Sequence, residues 1–374
     1  MGTYMIETLG FSGTEVGLIY ANNAIAATIS PTLIGLLADR YMSAEKLLSL
    51  LHLCGGALLF FHTQVDSFAA VFLLNLLNVL CYMPTFSLTN SLCFHHIDDA
   101  KRDFAPIRVW GTVGWVVAGV LISALAIESE ATTFLIASGA SFLLCGYAFS
   151  LPKTPPIVQS GVSLWQSLRS PEMKQLLAGS EIRAIVICVA LISFPAAYYY
   201  TFVNPFLTDM QVAHTAAKMS IGQVAEIVLM LTLPWFIAKY SLRSLMFVGL
   251  FLWGARYGLF MLGIHWDVEW VYWLALVAHG PAYVFGMLVA QIYLDIKMPD
   301  SLRSTTQGFF TFLTMGIVAY LGTYIAGETV DVYTDSAGSK DWFMIWLVPM
   351  VVGVLTSVMF ILLWSKKSAK PSDT

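Results

Sequence analysis

Apolar runs long enough to cross a bilayer as helices recur along the whole chain, and this limits its fold more than any other feature. Eleven can be marked, at about 14–37, 44–64, 67–92, 106–126, 130–150, 182–207, 215–238, 243–264, 268–294, 304–326 and 342–364. Only 11% of the 374 residues are charged and 58% are hydrophobic, with a mean hydropathy of +0.74. A soluble domain carries about 25% charged residues. A β-barrel would show alternating segments of about ten residues instead. The expected fold class is therefore an all-α polytopic membrane protein. Trp266, Trp270, Trp342 and Trp364 stand near span ends, as interfacial aromatics do.

Basic residues set the orientation. Of the nineteen Lys and Arg, sixteen fall in one set of alternate loops and span ends. The other set holds only Lys218 and Lys340, and Arg256 lies inside a span. The positive-inside rule makes the first set cytoplasmic, and with it the C-terminus. An odd number of spans then puts Met1 outside. The opening "MGTYMIETLGFSG" has no basic region and no apolar core, so it is not a signal peptide, and Ile6 excludes a myristoylation site. The expectation is that the first of twelve helices is missing; the alternative is a genuine eleven-span protein. A Pro-containing segment, 151–181, separates five spans from six and carries "SLWQSLRSPEMKQLL", which can lie on a membrane surface. The expected domains are an N-terminal bundle (1–150), a cytoplasmic linker (151–181), a six-helix C-terminal bundle (182–364) and a cytoplasmic tail (365–374). Six plus six is the layout of a transporter built from two parallel halves. Arg108, Thr112 and Trp115 share the i, i+4, i+7 spacing of Arg303, Gln307 and Phe310, a thin internal repeat.

Polar side chains within spans mark helix contacts or a solute path. Asn75, Asn78, Tyr82, Thr85 and Thr89 form one stripe. Ser193, Tyr200, Asn204 and Thr208 form a second, in a span that Pro195 and Pro205 are expected to break. Ser220, Gln223 and Glu226 form a third, and His279 and Tyr283 are an i, i+4 pair. Each can serve interhelical hydrogen bonding; together they suit a shared cavity. Glu226 lies mid-span, where an ionised carboxylate is costly, and a carboxyl that alternates between charged and neutral forms is a proton carrier. A static buried pair with an arginine is the alternative. Arg256 is the other mid-span charge, and its helix has no further polar stripe, which points to a structural role. The five cysteines form no CxxC pair and suit small buried hydrophobes. His95, His96, Asp98 and Asp99 lack the further histidines a membrane di-metal site needs, so no metal and no cofactor is expected.

"GLLADRYMSAEK" (35–46) resembles the loop signature of the major facilitator superfamily, with Gly35, Asp39 and Arg40 as gating residues. "DFAPIRVWGTVGW" (103–115), "MSIGQVAEIVLMLTLPWF" (219–236) and "LRSTTQG" (302–308) resemble the fifth, eighth and eleventh helices of its nucleoside:proton symporter family, the bacterial nucleoside permeases. The resemblance implies a major facilitator fold and import of nucleosides by proton symport with alternating access. It implies that Arg108, Thr112, Trp115, Gln223, Glu226, His279 and Tyr283 face the substrate. A family aspartate after the tenth-helix aromatic is replaced here by Val284, and two seventh-helix amides by Ala197 and Tyr200.

Residue chemistry is compatible. Trp115, Tyr200 and Tyr283 offer faces for stacking on a base, and Gln223 a donor and an acceptor for its edge. Arg108 and Glu226 can hydrogen-bond hydroxyls, and Arg108 is expected in a hydrated cavity rather than snorkelling at the interface. Glu226 is the expected site of proton coupling. The chain is read as a monomer of the bacterial inner membrane whose partners are a nucleoside, protons and the lipid bilayer, with no nucleic acid. Alternatives are a carrier of another neutral polar solute such as a sugar, or a non-transporting sensor. An enzyme is not expected, because no nucleophile–base or metal constellation is visible.

Overall fold

A computed structural model describes residues 1–97, 100–155, 179–297 and 309–364. A helix falls on each of the eleven expected apolar runs. In chain order these are α1 (Gly13–Arg40), α2 (Ala44–His62), α3 (Phe68–His96), α4 (Ala100–Ala124), α5 (Thr132–Ala148), α6 (Ser180–Asp209), α7 (Thr215–Lys239) and α8 (Leu242–Trp266). The next run is divided into α9 (Glu269–Val277), α10 (His279–Tyr283), a π-helical turn (Val284–Leu288) and α11 (Val289–Lys297). Another π turn (Phe312–Val318) leads into α12 (Ala319–Val332), and α13 spans Trp342–Leu363. A short π-helical segment, Tyr4–Thr8, precedes α1. Among the described residues, eight helices are long and apolar enough to cross a membrane, and Val109–Ala124 and Thr132–Ala148 are shorter apolar helices. No strand occurs among the described residues, only one isolated bridge between Thr334 and Lys340.

Helix surfaces carry large apolar side chains that no other helix covers, among them Leu143, Leu231 and Leu362, each more than 75% exposed. In water such a surface would drive aggregation; against lipid tails it costs nothing. The chain is a multi-pass membrane protein.

Contacts divide the chain into two compact units. Unit 1 is Met1–Ser160 with Tyr200–Ser220 and Thr323–Val332; unit 2 is Gly161–Tyr199, Ile221–Gly322 and Tyr333–Thr374. In unit 1, polar side chains fasten helix to helix through backbone carbonyls. Ser49, Ser138 and Ser141 link α2 and α5: Ser138 Oγ donates to Gly56 O at 2.7 Å and Ser141 Oγ to His52 O at 2.9 Å. Asn22 donates to Phe72 O and to Asn75, joining α1 to α3, and Asn78 donates to Gly55 O. The first polar stripe therefore divides. Its asparagines make interhelical bonds, whereas the Thr85 and Thr89 hydroxyls bond back to their own helix and help line an apolar cavity of 460 Å³. The N-terminus of α1 is capped twice. Ser12 and Glu15 form a capping box, and the Asp331 carboxylate accepts from Gly13 N (2.6 Å), Thr14 N (2.8 Å) and Thr14 Oγ1 (2.5 Å).

Two expectations are corrected. Helix α6 runs unbroken through Pro195 and Pro205. Prolines are tolerated inside membrane helices packed among neighbouring helices, and the Tyr257 hydroxyl of α8 ties this stretch of α6 to its neighbour by donating to Pro195 O. The "GLLADR" stretch is not loop but the last turns of α1, and the connection to α2 is only residues 41–43. The side chains of Gly35, Asp39 and Arg40 lie outside the described residues, as do the linker segment 156–178 and the tail 365–374.

Candidate functional site

Unit 2 contains a buried chain of charged and aromatic side chains drawn from four helices. Its geometry starts from two glycines. A Cβ on Gly280 would lie 2.6 Å from Ala225 C and 2.8 Å from Glu226 N, and one on Gly222 would lie 3.0 Å from Leu276 O and 3.1 Å from His279 Cβ. Only hydrogen on these two residues lets α10 lie backbone against backbone with α7. That approach brings His279 to Glu226, with Nε2 and Oε2 3.9 Å apart. The separation lies within electrostatic reach and exceeds a direct hydrogen bond.

Arg256 reaches the other side of the same imidazole. Its Nη1 is 3.0 Å from His279 Nδ1. A guanidinium has donors only, so Nδ1 must accept, and the ring proton then sits on Nε2, the nitrogen facing Glu226. The aromatic surroundings hold both groups. Tyr199 stacks on His279 (4.8 Å, 12°), Tyr283 lies 6.1 Å from it at 26°, and Trp253 meets it edge-on at 5.6 Å. The Arg256 guanidinium carbon lies 3.6 Å from the Tyr199 ring centroid and 5.1 Å from that of Trp253. Cation–π contact gains strength when desolvated, and Arg256 is 0% exposed. An arginine at the centre of a membrane helix costs at least about 2.5–3.5 kcal/mol. Here it is offset by the rings, by the bond to His279 and by the Glu226 carboxylate beyond. Nε and Nη2 still have no hydrogen-bond partner among the described residues.

Gln223 lies one turn before Glu226 on α7. Its Oε1 is buried and has no hydrogen-bond partner among the described residues. Nearly all buried polar atoms are satisfied in folded proteins, so an open amide acceptor beside the charged chain suits a ligand donor.

Of the residues singled out in the sequence, unit 2 thus brings together Glu226, His279 and Tyr283, with Gln223 adjacent on α7. Thr112, Trp115 and Tyr200 belong to unit 1. Trp115 is 60% exposed and Tyr200 46%, so both present open ring surface. Arg108 falls on α4, one helical face with Thr112 and Trp115, but its side chain lies outside the described residues. In the internal repeat, Arg303 and Gln307 also lie outside them, and Phe310 is 1% exposed where Trp115 is open. The sequence reading missed how Arg256 and Tyr199 enter the site. Arg256 was visible as a lone mid-span cation, but nothing in spacing along one helix says which neighbouring helix it meets. The π-helical turn begins at Val284, immediately after Tyr283. Single π turns inside α-helices occur often at functional sites. No group of three metal-ligating side chains occurs among the described residues, and all five cysteines are free.

Comparison with known proteins follows the same lines. Residues 1–369 match the family model described as nucleoside H+ symporter. The putative nucleoside transporter YegT of Escherichia coli (strain K12) is 34% identical over 94% of this chain and 86% of its own length. The xanthosine permease of the same organism is 31% identical over 96% of this chain and 90% of its own length. Two crystal structures of the nucleoside transporter NupG superpose with TM-scores of 0.90 and 0.86 at 28% identity, covering 97% of this chain and 94% and 93% of theirs.

Proposed function

The chain belongs to the nucleoside H+ symporter family, and from that premise we propose that it carries nucleosides into the cell together with protons, by alternating access of a major facilitator fold. The observation that carries the reading is the Glu226–His279–Arg256 chain. In it a titratable carboxyl stands across an imidazole from a buried cation, one turn from an amide whose buried acceptor has no partner among the described residues.

A nucleoside is neutral, so charge moves only with the proton. Glu226 gains the proton on one side of the membrane and releases it on the other. Gln223 supplies hydrogen bonds to the base edge, and Tyr283 supplies an aromatic face. Trp115 and Tyr200 supply further open ring surface for stacking, with Thr112 and Arg108 bonding hydroxyls. His279, at 1% exposure, sits behind the ligand as part of the proton site. Gly35, Asp39 and Arg40, at the end of α1, serve the cytoplasmic gate. The protein is a monomer of the bacterial inner membrane, with its C-terminus and the 151–181 linker in the cytoplasm. The Lys and Arg distribution supports that orientation.

The test is uptake of labelled uridine or adenosine by cells expressing the protein, with and without a protonophore. Concentrative uptake that the protonophore collapses, competed by nucleosides and not by free ribose, is the expected result. Uptake indifferent to the protonophore removes proton coupling; competition by ribose alone moves the substrate to the sugar class.

A further inference from the structure

Resting on the alternating-access reading and the orientation proposed with it, we infer that Glu128 and Asp331 form the outer gate of the transport cycle. Each carboxylate caps a helix from the other side of the 151–181 segment in sequence, and both caps must release before the substrate site opens outwards. Unit 1 is not one run of chain, since it takes in Tyr200–Ser220 and Thr323–Val332 from beyond that segment. Two seams of the same design hold these stretches in unit 1.

At the first seam α4 meets α7. Glu128, just after α4, accepts from Ala216 N at 2.9 Å. Ser123 Oγ, on α4, accepts from Ala217 N at 2.9 Å and donates to Glu128 Oε1 at 2.5 Å. Beside them, a Cβ on Gly119 would lie 2.6 Å from Ser220 Oγ and 3.0 Å from Ala216 O. At the second seam α12 meets α1. Asp331 accepts from Gly13 N and Thr14 N, and Thr14 Oγ1 lies in donor reach of both Asp331 and Glu328. A Cβ on Gly13 would lie 2.7 Å from Gly327 O, and one on Gly327 would lie 2.7 Å from Thr14 Cα. Each seam thus joins a close approach at glycine to a carboxylate on the first N–H groups of a helix, where hydrogen bonds and helix dipole act together.

The two seams correspond. The Arg108 and Arg303 spacing relates the fourth apolar run to the tenth, and the runs of α1 and α7 each stand three places earlier. The fourth run caps the seventh and the tenth caps the first, so the arrangement is reciprocal. All four helix ends lie where the chain is poor in Lys and Arg, the side that the positive-inside rule makes outer. Helix α7 is continuous from Thr215–Ser220 in unit 1 to Gln223 and Glu226 in unit 2. In carriers built from two bundles, one bundle rocks against the other around the site. Opening outwards then has to part Ala216 from Glu128 and Gly13 from Asp331.

The test uses the full-length protein in intact bacterial cells. It reads the reactivity of one introduced cysteine with a membrane-impermeant maleimide, peptide by peptide in the mass spectrometer. Ser220→Cys reports on the first seam and Val330→Cys on the second, and both positions are buried. Glu128→Gln and Asp331→Asn keep shape and remove charge. Each should raise reactivity about fivefold, the equilibrium equivalent of one lost helix cap. The rise should cross between seams: Asp331→Asn exposes Ser220→Cys, and Glu128→Gln exposes Val330→Cys, because one gate opens both. A cap that only steadied its own helix would leave the far reporter unchanged. That result, or no rise at either reporter, overturns the inference. A covalent tie gives a second measurement where a variant does not fold. In proteoliposomes, an oxidised Thr14→Cys, Asp331→Cys pair should stop uridine counterflow, and a reductant should restore it. Ser49→Cys, oxidised to the native Cys145 whose sulfur lies 3.3 Å from Ser49 Oγ, ties α2 to α5 and should leave counterflow intact. Counterflow through the tied outer seam equally overturns the inference. Maleimide labelling needs no substrate, so a protein that carries no uridine fails the functional reading while the gate is still read.

Discussion

Replacing Gly280 with Ala adds one methyl at the point where α10 meets α7. The new Cβ would stand 2.6 Å from Ala225 C and 2.8 Å from both Ala225 Cβ and Glu226 N. The first is about 0.8 Å short of the 3.4 Å at which ordinary van der Waals contact begins. Two of the three atoms are backbone and the third is a β-carbon, so no flexible side-chain end can swing aside. The helices must separate, and overpacking of this kind costs about 1–3 kcal/mol. The same shift lengthens the 3.9 Å gap between His279 and Glu226. Gly258→Ala is the matched control, because its Cβ would meet only the Met350 sulfur, at 3.4 Å. Gly inside a helix costs roughly 0.5–1 kcal/mol against Ala, so the control should be neutral or stabilising. Thermal unfolding in detergent, followed by loss of monodisperse protein, measures both. At about 2–4 °C per kcal/mol for domains of 150–250 residues, Gly280→Ala should lower the apparent midpoint by several degrees and the control should not. Equal midpoints, with pH-driven accumulation intact in Gly280→Ala, would refute the argument that this close approach builds the site.

Further outcomes are expected elsewhere in the chain. Trp115→Ala should weaken nucleoside binding by about 1–3 kcal/mol, the scale of base–aromatic stacking, and Trp115→Phe by less; calorimetry giving equal affinity for all three proteins makes Trp115 a packing residue. Gln223→Leu removes a buried acceptor that has no partner among the described residues. It should lower nucleoside affinity without lowering thermal stability, and unchanged affinity would take Gln223 out of the binding set. Asp331→Ala strips the second cap from α1 and should cost about 0.5–2 kcal/mol of stability in a thermal or denaturant assay. An unchanged midpoint would mean the Ser12–Glu15 box suffices alone.

How far the sequence anticipates this molecule depends on the range of the interaction. Hydropathy is local, so every apolar run finds its helix, and Glu226, His279 and Tyr283 stand out as polar residues in apolar surroundings. The meeting of Arg256 with His279 joins positions 23 residues apart on different helices, and α8 shows no polar stripe to announce it. The same limit applies to Asn75 and Asn78. Their spacing with Thr85 and Thr89 looks like one continuous path, but the asparagines fasten helices while the threonines bond to their own backbone. Pro195 and Pro205 misled for a related reason. A proline is a helix breaker when water surrounds the helix, and a packed membrane helix obeys its neighbours instead.

The central claim is that Glu226 carries the coupled proton. Glu226→Gln, purified into proteoliposomes with a pH difference imposed, tests it most directly, since the amide imitates the protonated carboxyl in shape and hydrogen bonding. The account predicts that this variant binds and exchanges labelled nucleoside across the membrane while its accumulation ratio stays near one, against about tenfold per pH unit for the wild type. Accumulation by Glu226→Gln equal to that of the wild type would contradict it.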